Sequence, residues 1–296
     1  MVSIVKAKRA SGIFYYLEHS LREGSRVYKK RKYLGKKVPK NIAVLREQLI
    51  DEVYIDRWYS QFLKIKDCYK SILQKTPKSV QEKNMEAFMV RFTYDTQRIE
   101  GSRLSFRDTG MVLIDKIVPR AARIDDIKEA EAHKKVFYLM LDFKADLDLD
   151  TILSWHKLLL QETKPDIAGK IRDYPVLIGS SEFYPPKPEY LEYMISDFFS
   201  WYDRSKESMH PVKLAALAHL KFETMHPFGD GNGRIGRLVM NFILKKHEYP
   251  MIDIKYTNRT GYYNALEKSQ VAKDEYRFLE WFFKRYIEEN KDYLNC

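Results

Sequence analysis

The chain has 296 residues, 45% of them hydrophobic and 14% aromatic, and a formal net charge of +11. A chain of this length and composition can bury a sizeable core, which excludes an intrinsically disordered protein. No apolar run approaches the roughly 20 residues that a membrane-spanning helix requires, and the first residues lack the pattern of a secretory signal. The two cysteines, Cys68 and Cys296, fit neither a disulfide framework nor a metal-ligand spacing. The composition therefore predicts a reduced, cytoplasmic protein without membrane association.

The positive charge is concentrated in the first part of the chain. Residues 1–40 contain 12 Lys or Arg and 2 Glu, whereas the remaining residues contain 40 basic and 39 acidic side chains. Residues 13–17 and 27–34 have the β-branched and aromatic content of strands, and residues 22–25 have the composition of a turn. We predict that residues 1–40 form a small, basic, β-rich appendage.

This basic appendage has three interpretations. Basic and aromatic residues are interleaved in its second strand, at Tyr28, Lys29, Lys30, Arg31, Lys32 and Tyr33. Such a composition suits a nucleic-acid or ribosomal surface. A solvated, charged hairpin explains the pattern equally well, and a third interpretation is a surface that recruits a protein substrate.

Helical periodicity begins near Ile42 and continues to Leu73, which predicts a helical N-terminal region over residues 41–85. The capping-box pattern Ser79-Val-Gln-Glu then predicts a helix that runs to Glu100 and stops at Gly101.

A second capping box at Ser105–Asp108 starts another helix, and six amphipathic stretches predict helices over residues 149–162, 188–204, 211–225, 234–246, 260–271 and 274–289. One stretch differs, because Val176-Leu177-Ile178 is followed by Gly-Ser-Ser and Glu-Phe-Tyr, a pattern that predicts a short hairpin. The predicted fold class is mainly α: a helical bundle with a short β-hairpin flap, preceded by the basic β unit and a long helix.

The segment with the clearest chemistry is residues 226–237, His-Pro-Phe-Gly-Asp-Gly-Asn-Gly-Arg-Ile-Gly-Arg. Its glycines let backbone amides turn inward as an anion-binding nest, and the helical spacing that follows places this nest at a helix N-terminus. Arg234 and Arg237 lie on one face of that helix, and guanidinium groups suit phosphate oxygens. Asp230 can hold Mg²⁺ and His226 can accept a proton. The loop predicts phosphoryl-type transfer, while the P-loop motif is absent.

These residues resemble the active-site motif of the Fic family, His-x-Phe-x-(Asp/Glu)-Gly-Asn-Gly-Arg-x-x-Arg, and match it at every defined position. The resemblance implies that His226 deprotonates the target hydroxyl, that Phe228 anchors the loop and that Asp230 holds the metal ion. It further implies that the nucleotide phosphates are bound by Gly231, Asn232, Gly233, Arg234 and Arg237.

The resemblance extends over about residues 86–290, which we predict to be the Fic domain. Residues 174–186, with Val176, Leu177 and Ile178, resemble the flap that aligns the target chain against the active site. Tyr262 resembles a residue that lines the adenine side, where either a stacking role or a packed aromatic explains it. For His219, one turn and more before the loop, we prefer a core or supporting role to a metal ligand.

Thr96-Gln-Arg-Ile-Glu100-Gly101 resembles the inhibitory motif of the family, on a helix over about residues 80–101. The resemblance implies that Glu100 pairs with Arg237 and prevents the γ-phosphate of ATP from settling productively. The alternative is an exposed glutamate that precedes a capping glycine.

The activity implied by the resemblance is that of an auto-inhibited protein adenylyltransferase. It would transfer AMP from ATP, with Mg²⁺ or Mn²⁺, to a Tyr, Thr or Ser hydroxyl of a target protein or of itself. One alternative is an enzyme that removes AMP with the help of Glu100, alone or as a second activity. Another is a nucleic-acid-associated regulator whose core binds nucleotide as a sensor. A homodimer that controls the inhibition is a further expectation.

Overall fold

The computed structural model describes residues 2–23, 26–179 and 181–296. The chain divides into two compact units, Met1–Lys64 and Ile65–Cys296. The domain boundaries that we predict after residues 40 and 85 stay predictions. The turn predicted at residues 22–25 includes Gly24 and Ser25, which lie outside the described residues.

The first unit contains an antiparallel sheet of three strands, β1 (Val2–Arg9), β2 (Gly12–Glu23) and β3 (Arg26–Gly35), in the order β1-β2-β3. Helix α1 (Ile42–Tyr54) follows and continues through a π-helical turn over Ile55–Tyr59 into α2 (Ser60–Lys75). The two predicted strands are confirmed and are longer than expected. Strand β1 was not predicted, although it contains the β-branched residues Val2, Ile4 and Val5.

The second unit is helical, which confirms the mainly α fold class. After α2 it contains α3 (Lys78–Ile99), α4 (Phe106–Gly110), α5 (Ile124–Asp142), α6 (Leu149–Leu160), α7 (Leu191–Ser205), α8 (Pro211–Met225), α9 (Asn232–Lys246), α10 (Arg259–Ala272) and α11 (Tyr276–Glu289). Helix α5 was not predicted, because its apolar positions are interrupted by charged residues. Among the described residues, no helix is both long and apolar enough to cross a membrane.

Two central helices, α8 and α9, form the middle of the core and carry the candidate loop between them. Residues 232–244 of α9 are all buried, and α8 presents Ala215, Ala216 and Ala218 with no exposed surface. Such small side chains let helices approach closely, so the connection between α8 and α9 is fixed by packing on both sides.

The two predicted capping boxes have different outcomes. At the start of α4, the Ser105 hydroxyl accepts from the Asp108 amide at 3.1 Å, and the Asp108 carboxylate accepts from the Ser105 amide at 3.1 Å, which confirms that box. The box at Ser79 is wrong, because α3 begins at Lys78 and Ser79 already lies inside the helix. Pro77 precedes the first helical residue with an extended ψ of 143°, and this fixes the start of α3 instead.

The segment that we predicted to be a hairpin contains a turn but no strands in the residues described on either side of Ser180. The Ser181 amide donates to the Ile178 carbonyl at 3.2 Å. The arms are held by side chains, since Glu267 of α10 accepts from the Ser181 hydroxyl at 2.9 Å and from the Glu182 amide at 2.6 Å. We call residues 174–186 the flap.

The expectation that the two cysteines remain unpaired is wrong. Cys68 of α2 and Cys296 form a disulfide, with Cα atoms 5.8 Å apart and a sequence separation of 228 positions. This separation lies in the range that disulfide geometry requires. Beside the bond, the rings of Tyr69 and Tyr293 pack edge to face with centroids 5.5 Å apart. Sequence spacing cannot show such a pairing, because the fold alone brings the two residues together.

Candidate active site

The candidate loop begins where α8 ends, at His226. This residue has φ 48° and ψ 59°, in the left-handed region that caps helices but that few residues other than glycine adopt. The His226 amide donates to the Phe222 carbonyl at 2.9 Å, so the chain turns sharply out of α8. The turn places the imidazole at the edge of a cavity of about 630 Å³, lined also by Glu100, Asp230 and Arg237.

Two hydrogen bonds between Asn232 and Phe228 fix the shape of the loop. The Asn232 side chain accepts from the Phe228 amide and donates to the Phe228 carbonyl, each at 2.9 Å. The Phe228 ring is fully buried and stacks on His156 with centroids 3.7 Å apart. His156 accepts from the Gly169 amide through Nδ1, so its Nε2 donates to the Asp230 carbonyl at 2.9 Å. The side chain of Asn232 therefore holds the loop, and only its backbone amide is left for a ligand.

The N-terminus of α9 opens directly into the cavity. Gly231 precedes it with φ 80°, a conformation that favours glycine. At Gly233 a β-carbon would overlap the Glu100 carboxylate and lie 2.9 Å from a guanidinium nitrogen of Arg237. The absent side chain leaves room against the first amides of the helix, which is the arrangement that binds phosphate.

Arg234 is 1% exposed and is held by acidic groups on two elements. One guanidinium nitrogen contacts Glu129 of α5, and the other donates to Asp230 at 3.0 Å. Burial works against the charge, but Glu129 and Asp230 outweigh it, and the pKa of Arg234 is raised. The cation is therefore permanent and is oriented before any ligand arrives.

Arg237, also 1% exposed, joins α9 to the end of α3. It donates to the Thr96 hydroxyl at 2.7 Å, to the Glu100 carboxylate at 2.6 Å and to the Tyr262 hydroxyl at 3.3 Å. Burial opposes the charge, but Glu100 and Tyr262 outweigh it and raise the pKa of Arg237. The structure thus brings together Glu100 and Arg237, the pair expected from the sequence. The effect of this pair on nucleotide binding stays a prediction.

Asp230 supplies a carboxylate beside the N-terminus of α9, and its two oxygens contact Arg234 and Lys164. Burial would raise its pKa, but Arg234 and Lys164 lower it to about 2, so the carboxylate is ionised throughout the neutral range. No group of three or more His, Cys, Asp or Glu able to hold a metal ion occurs among the described residues. Mg²⁺ needs only one or two protein carboxylates where phosphates complete its shell, so Asp230 beside a phosphate cradle fits the ion. Lys164 donates to this carboxylate at 2.5 Å.

His226 is suited to accept a proton from its Nε2 side. Its Nδ1 lies 3.4 Å from the Glu223 carbonyl oxygen, an acceptor, so Nδ1 carries the hydrogen and Nε2 is the free acceptor. Burial lowers the pKa of His226, against the smaller raising effects of that carbonyl and of the Glu100 carboxylate. The imidazole is accordingly neutral at pH 7.

Arg172, to which the sequence analysis gave no role, connects the loop to the flap. It donates to the His226 carbonyl at 2.8 Å, to the Tyr174 carbonyl at 3.0 Å and to the Pro186 carbonyl at 2.7 Å. One buried side chain therefore fixes both ends of the flap relative to His226. Leu177 and Ile178 of the flap line the cavity, with Leu177 79% exposed, whereas Val176 is not among the lining residues.

Tyr262 is buried in the wall of the cavity. Its ring is 1% exposed and lies near the His219 ring with centroids 5.8 Å apart, while its hydroxyl is 2.7 Å from His219 Nε2. This geometry favours a packed aromatic over a stacking platform for a base. Tyr263, the next residue, is 44% exposed and lines the same cavity.

A matched pair of substitutions tests the structural role of Tyr262. Tyr262→Phe leaves the buried Nε2 of His219 and one N–H of Arg237 without a partner. We therefore expect the free energy of unfolding, measured in urea, to fall by about 1–3 kcal/mol. Tyr263→Phe removes a single bond, from its hydroxyl to the Ile99 carbonyl at 2.9 Å, on a half-exposed ring. Its expected cost is about 1 kcal/mol or less. Equal effects in the two variants would contradict the assignment.

Comparisons with known proteins agree with this geometry. Residues 146–244 match the Fic/DOC family model. Protein adenylyltransferase Fic of Nematostella vectensis is 32% identical over 181 residues, which are 60% of this chain and 42% of that protein. Protein adenylyltransferase fic-1 of Caenorhabditis elegans is 33% identical over 187 residues, 61% of this chain and 36% of that protein. The chain spans about two fifths of the length of the curated relatives it matches.

Solved structures give the same result. A Fic domain containing signaling protein from Bacteroides thetaiotaomicron has a TM-score of 0.71 at 26% identity and covers 79% of this chain and 95% of its own. Fic-1 from C. elegans has a TM-score of 0.71 at 26% identity, over 86% of this chain and 77% of its own. These matches confirm the resemblance that the loop sequence indicated. The chain contains a domain of the Fic/DOC family.

Proposed function

We propose that this protein transfers AMP from ATP to a hydroxyl side chain of a target protein. The observation that carries the proposal is the position of His226, with a free Nε2, in one cavity with the N-terminus of α9 and the buried guanidinium of Arg237. A base, an anion cradle and a fixed cation are the parts that nucleotidyl transfer needs. The names of the curated relatives support the same chemistry.

In the proposed reaction, the target hydroxyl oxygen attacks the α-phosphorus of ATP. Its proton passes to Nε2 of His226, the new bond joins that oxygen to the α-phosphorus, and the bond to the leaving pyrophosphate breaks. The backbone amides of Asn232 and Gly233, with Arg234 and Arg237, bind the phosphate oxygens, while the Gly231 amide donates to the Asp230 carboxylate. Mg²⁺ or Mn²⁺ held by Asp230 would neutralise phosphate charge when bound.

The protein substrate is proposed to dock on the flap. The backbone of the flap forms no β-sheet hydrogen bonds with another strand among the described residues. Leu177 and Ile178 of the flap line the cavity. An extended target segment that pairs with this free edge would bring its hydroxyl towards His226. Because Arg172 fixes the ends of the flap, the docking surface keeps its position relative to the base.

We further propose that Glu100 inhibits the transfer. Its carboxylate occupies Arg237, the cation that we assign to the terminal phosphate, at 2.6 Å. A nucleotide that displaces Glu100 must break this ion pair, and one that does not must bind without Arg237. Either way the productive arrangement is disfavoured.

Removal of AMP from a modified protein is the second candidate, because Glu100 lines the same cavity as His226 and Asp230. A carboxylate in that place can orient a water molecule towards the phosphorus of an AMP-modified side chain. Both reactions use the same residues, so a direct measurement must separate them.

The test is transfer of label from ATP to protein in the presence of Mg²⁺ or Mn²⁺, with the unaltered chain and a cell extract. AMP transfer predicts that α-labelled ATP labels protein and that γ-labelled ATP releases labelled pyrophosphate without labelling protein. Label from the γ-position on protein would instead show transfer of a whole phosphate and contradict the proposal. Release of AMP from a previously labelled target by the unaltered chain would establish the second candidate.

A further inference from the structure

The sheet of the first unit separates its basic residues onto two faces. Tyr16 pairs with Tyr33 and Glu18 with Arg31, while the intervening Leu17 pairs with Lys32. Because successive side chains of a strand point to opposite sides, these alternate pairs lie on different faces. We call the set Phe14, Tyr16, Glu18, Lys29, Arg31 and Tyr33 the outer face. The opposite face carries Leu17 and His19, which are 0% and 1% exposed.

The cations on the buried side are already paired. Lys30 contacts Asp56 at 2.6 Å, and Lys32 contacts Glu52 at 3.2 Å, both within the first unit. The interleaved basic sequence of β3 is therefore not one continuous patch. Half of it is balanced by acidic groups of α1 and the π-helical turn, and the other half lies on the outer face.

The outer face has a row of aromatic rings. The Tyr33 ring lies 5.3 Å from that of Tyr16 and 6.1 Å from that of Phe14, measured between centroids. Tyr33 is 57% exposed. The Lys36 ammonium lies 5.9 Å from the Phe14 ring, at the end of the row. Tyr33 is thus the accessible ring of the row, with Phe14 and Tyr16 half-buried beside it, and its face offers a flat surface on which a planar group can stack.

Next to the rings are two exposed cations. The side chains of Lys29 and Arg31 are 54% and 57% exposed, and both contact the carboxylate of Glu18, which is 9% exposed. One carboxylate holds two cations in place, so this end of the face keeps a net positive charge. The arrangement orients the two cations beside the aromatic row and leaves them accessible to an anion.

We propose that the outer face binds single-stranded nucleic acid, with bases stacked on Tyr33 and its neighbouring rings and phosphates on Arg31 and Lys29. Stacking of unpaired bases on aromatic side chains of a sheet, beside a basic track, is the general mode of single-strand recognition. A duplex keeps its bases inside its own stack and would use the cations alone. An acidic peptide would also leave the rings unused. The proposal does not depend on the transfer chemistry.

Binding is measured by fluorescence anisotropy with the full chain and labelled oligonucleotides of about 12 nucleotides, within the range of single-strand site sizes. We expect oligo(U) or oligo(dT) to bind more tightly than a duplex of the same length. Tyr33→Ala is expected to weaken single-strand binding about tenfold, the effect of losing about 1.4 kcal/mol of stacking, and to leave the salt dependence unchanged.

The chain offers a matched control in two adjacent lysines. Lys29→Gln and Lys30→Gln remove the same charge from neighbouring positions of β3 that lie on opposite faces. We expect Lys29→Gln to weaken binding and to reduce the slope of log affinity against log salt by about 0.7, the value for one phosphate contact on a single strand. Lys30→Gln should change affinity less than about twofold, because its cation lies on the opposite face of the sheet, against Asp56. Circular dichroism checks that the sheet remains folded.

Three results would overturn the proposal. One is no binding of either oligonucleotide at about 50 mM salt, where phosphate contacts are strong. Another is equal loss in Lys29→Gln and Lys30→Gln with no effect of Tyr33→Ala, which would indicate unspecific attraction to any polyanion. The third is equal or tighter binding of the duplex, which would assign the face to shape recognition without stacking.

Discussion

Replacing His226 with alanine is expected to reduce AMP transfer by about 10²- to 10⁴-fold, the contribution of a positioned general base. The reason is that Nε2 is the free acceptor of this ring at the cavity edge, while Nδ1 faces the Glu223 carbonyl. Rates are measured with α-labelled ATP and a labelled target from the extract. Nucleotide affinity, followed with a fluorescent ATP analogue, should change less than about threefold, because the phosphates are assigned to other groups.

The control is His247→Ala, at a residue near the end of α9 that is absent from the cavity lining. It should retain the transfer rate. The mechanism would be wrong if His226→Ala is folded, binds nucleotide and still transfers AMP at the unaltered rate. Such a result would show that His226 is not the base.

The pH dependence tests the same base. Burial lowers the pKa of His226 below its ordinary value of 6.5, so the neutral form that accepts a proton persists as the pH falls through 6.5. We expect the transfer rate to fall on the acid side only below pH 6.5. Glu100 raises the pKa of His226, so the acid limb should move to still lower pH when that carboxylate is removed. An acid limb above pH 6.5 would show that a different group titrates.

Replacing Glu100 with glycine is expected to raise AMP transfer by about 5- to 150-fold, the range of typical coupling energies. The substitution frees the Arg237 guanidinium from a carboxylate 2.6 Å away and leaves it with Thr96 and Tyr262. It also removes the carboxylate that we assign to the removal of AMP, so the two effects act in the same direction on net labelling.

Glu100→Gln separates charge from shape, because it keeps a side chain of similar size near Arg237. We expect its rate to lie between those of the unaltered protein and of Glu100→Gly. In the absence of nucleotide the Tm of Glu100→Gly should be lower, since a buried cation loses a partner. A rate that rises in neither variant would contradict inhibition by this contact. The double variant with His226→Ala should transfer AMP about 10²- to 10⁴-fold more slowly than Glu100→Gly alone.

The part of the site that could be predicted from sequence lies in one short segment, residues 226–237. His226, Asp230, Arg234 and Arg237 lie within 12 positions, and their order alone indicated an anion cradle with a base. The partners that hold them come from distant elements. Glu129 meets Arg234 across 105 positions, and Arg172 meets His226 across 54. No local pattern connects such residues, because only the packing of helices brings them together.

The fold shows the same division between local and distant signals. Helices with a strong apolar stripe and clear caps were predicted close to their observed ends, as at Pro211, where α8 begins. Helix α5 was missed because charged residues interrupt its apolar positions, although tertiary contacts bury Ala130, Val136 and Phe137. The pairing of Cys68 with Cys296, and the different ion-pair partners on the two faces of β3, depend on neighbours that a sequence does not display.

The contact between Arg237 and the end of α3 has a thermodynamic consequence. The guanidinium has a limited number of N–H groups, and the terminal phosphate of a nucleotide would compete with Glu100 for them. Competition of this kind is reciprocal: by whatever factor a nucleotide loosens the end of α3, loosening that end tightens the nucleotide. Hydrogen exchange at Arg98 and Ile99 therefore becomes a gauge of nucleotide occupancy. A partner that binds α3 far from the cavity and shifts the position of its end would change the affinity for ATP without contacting the nucleotide.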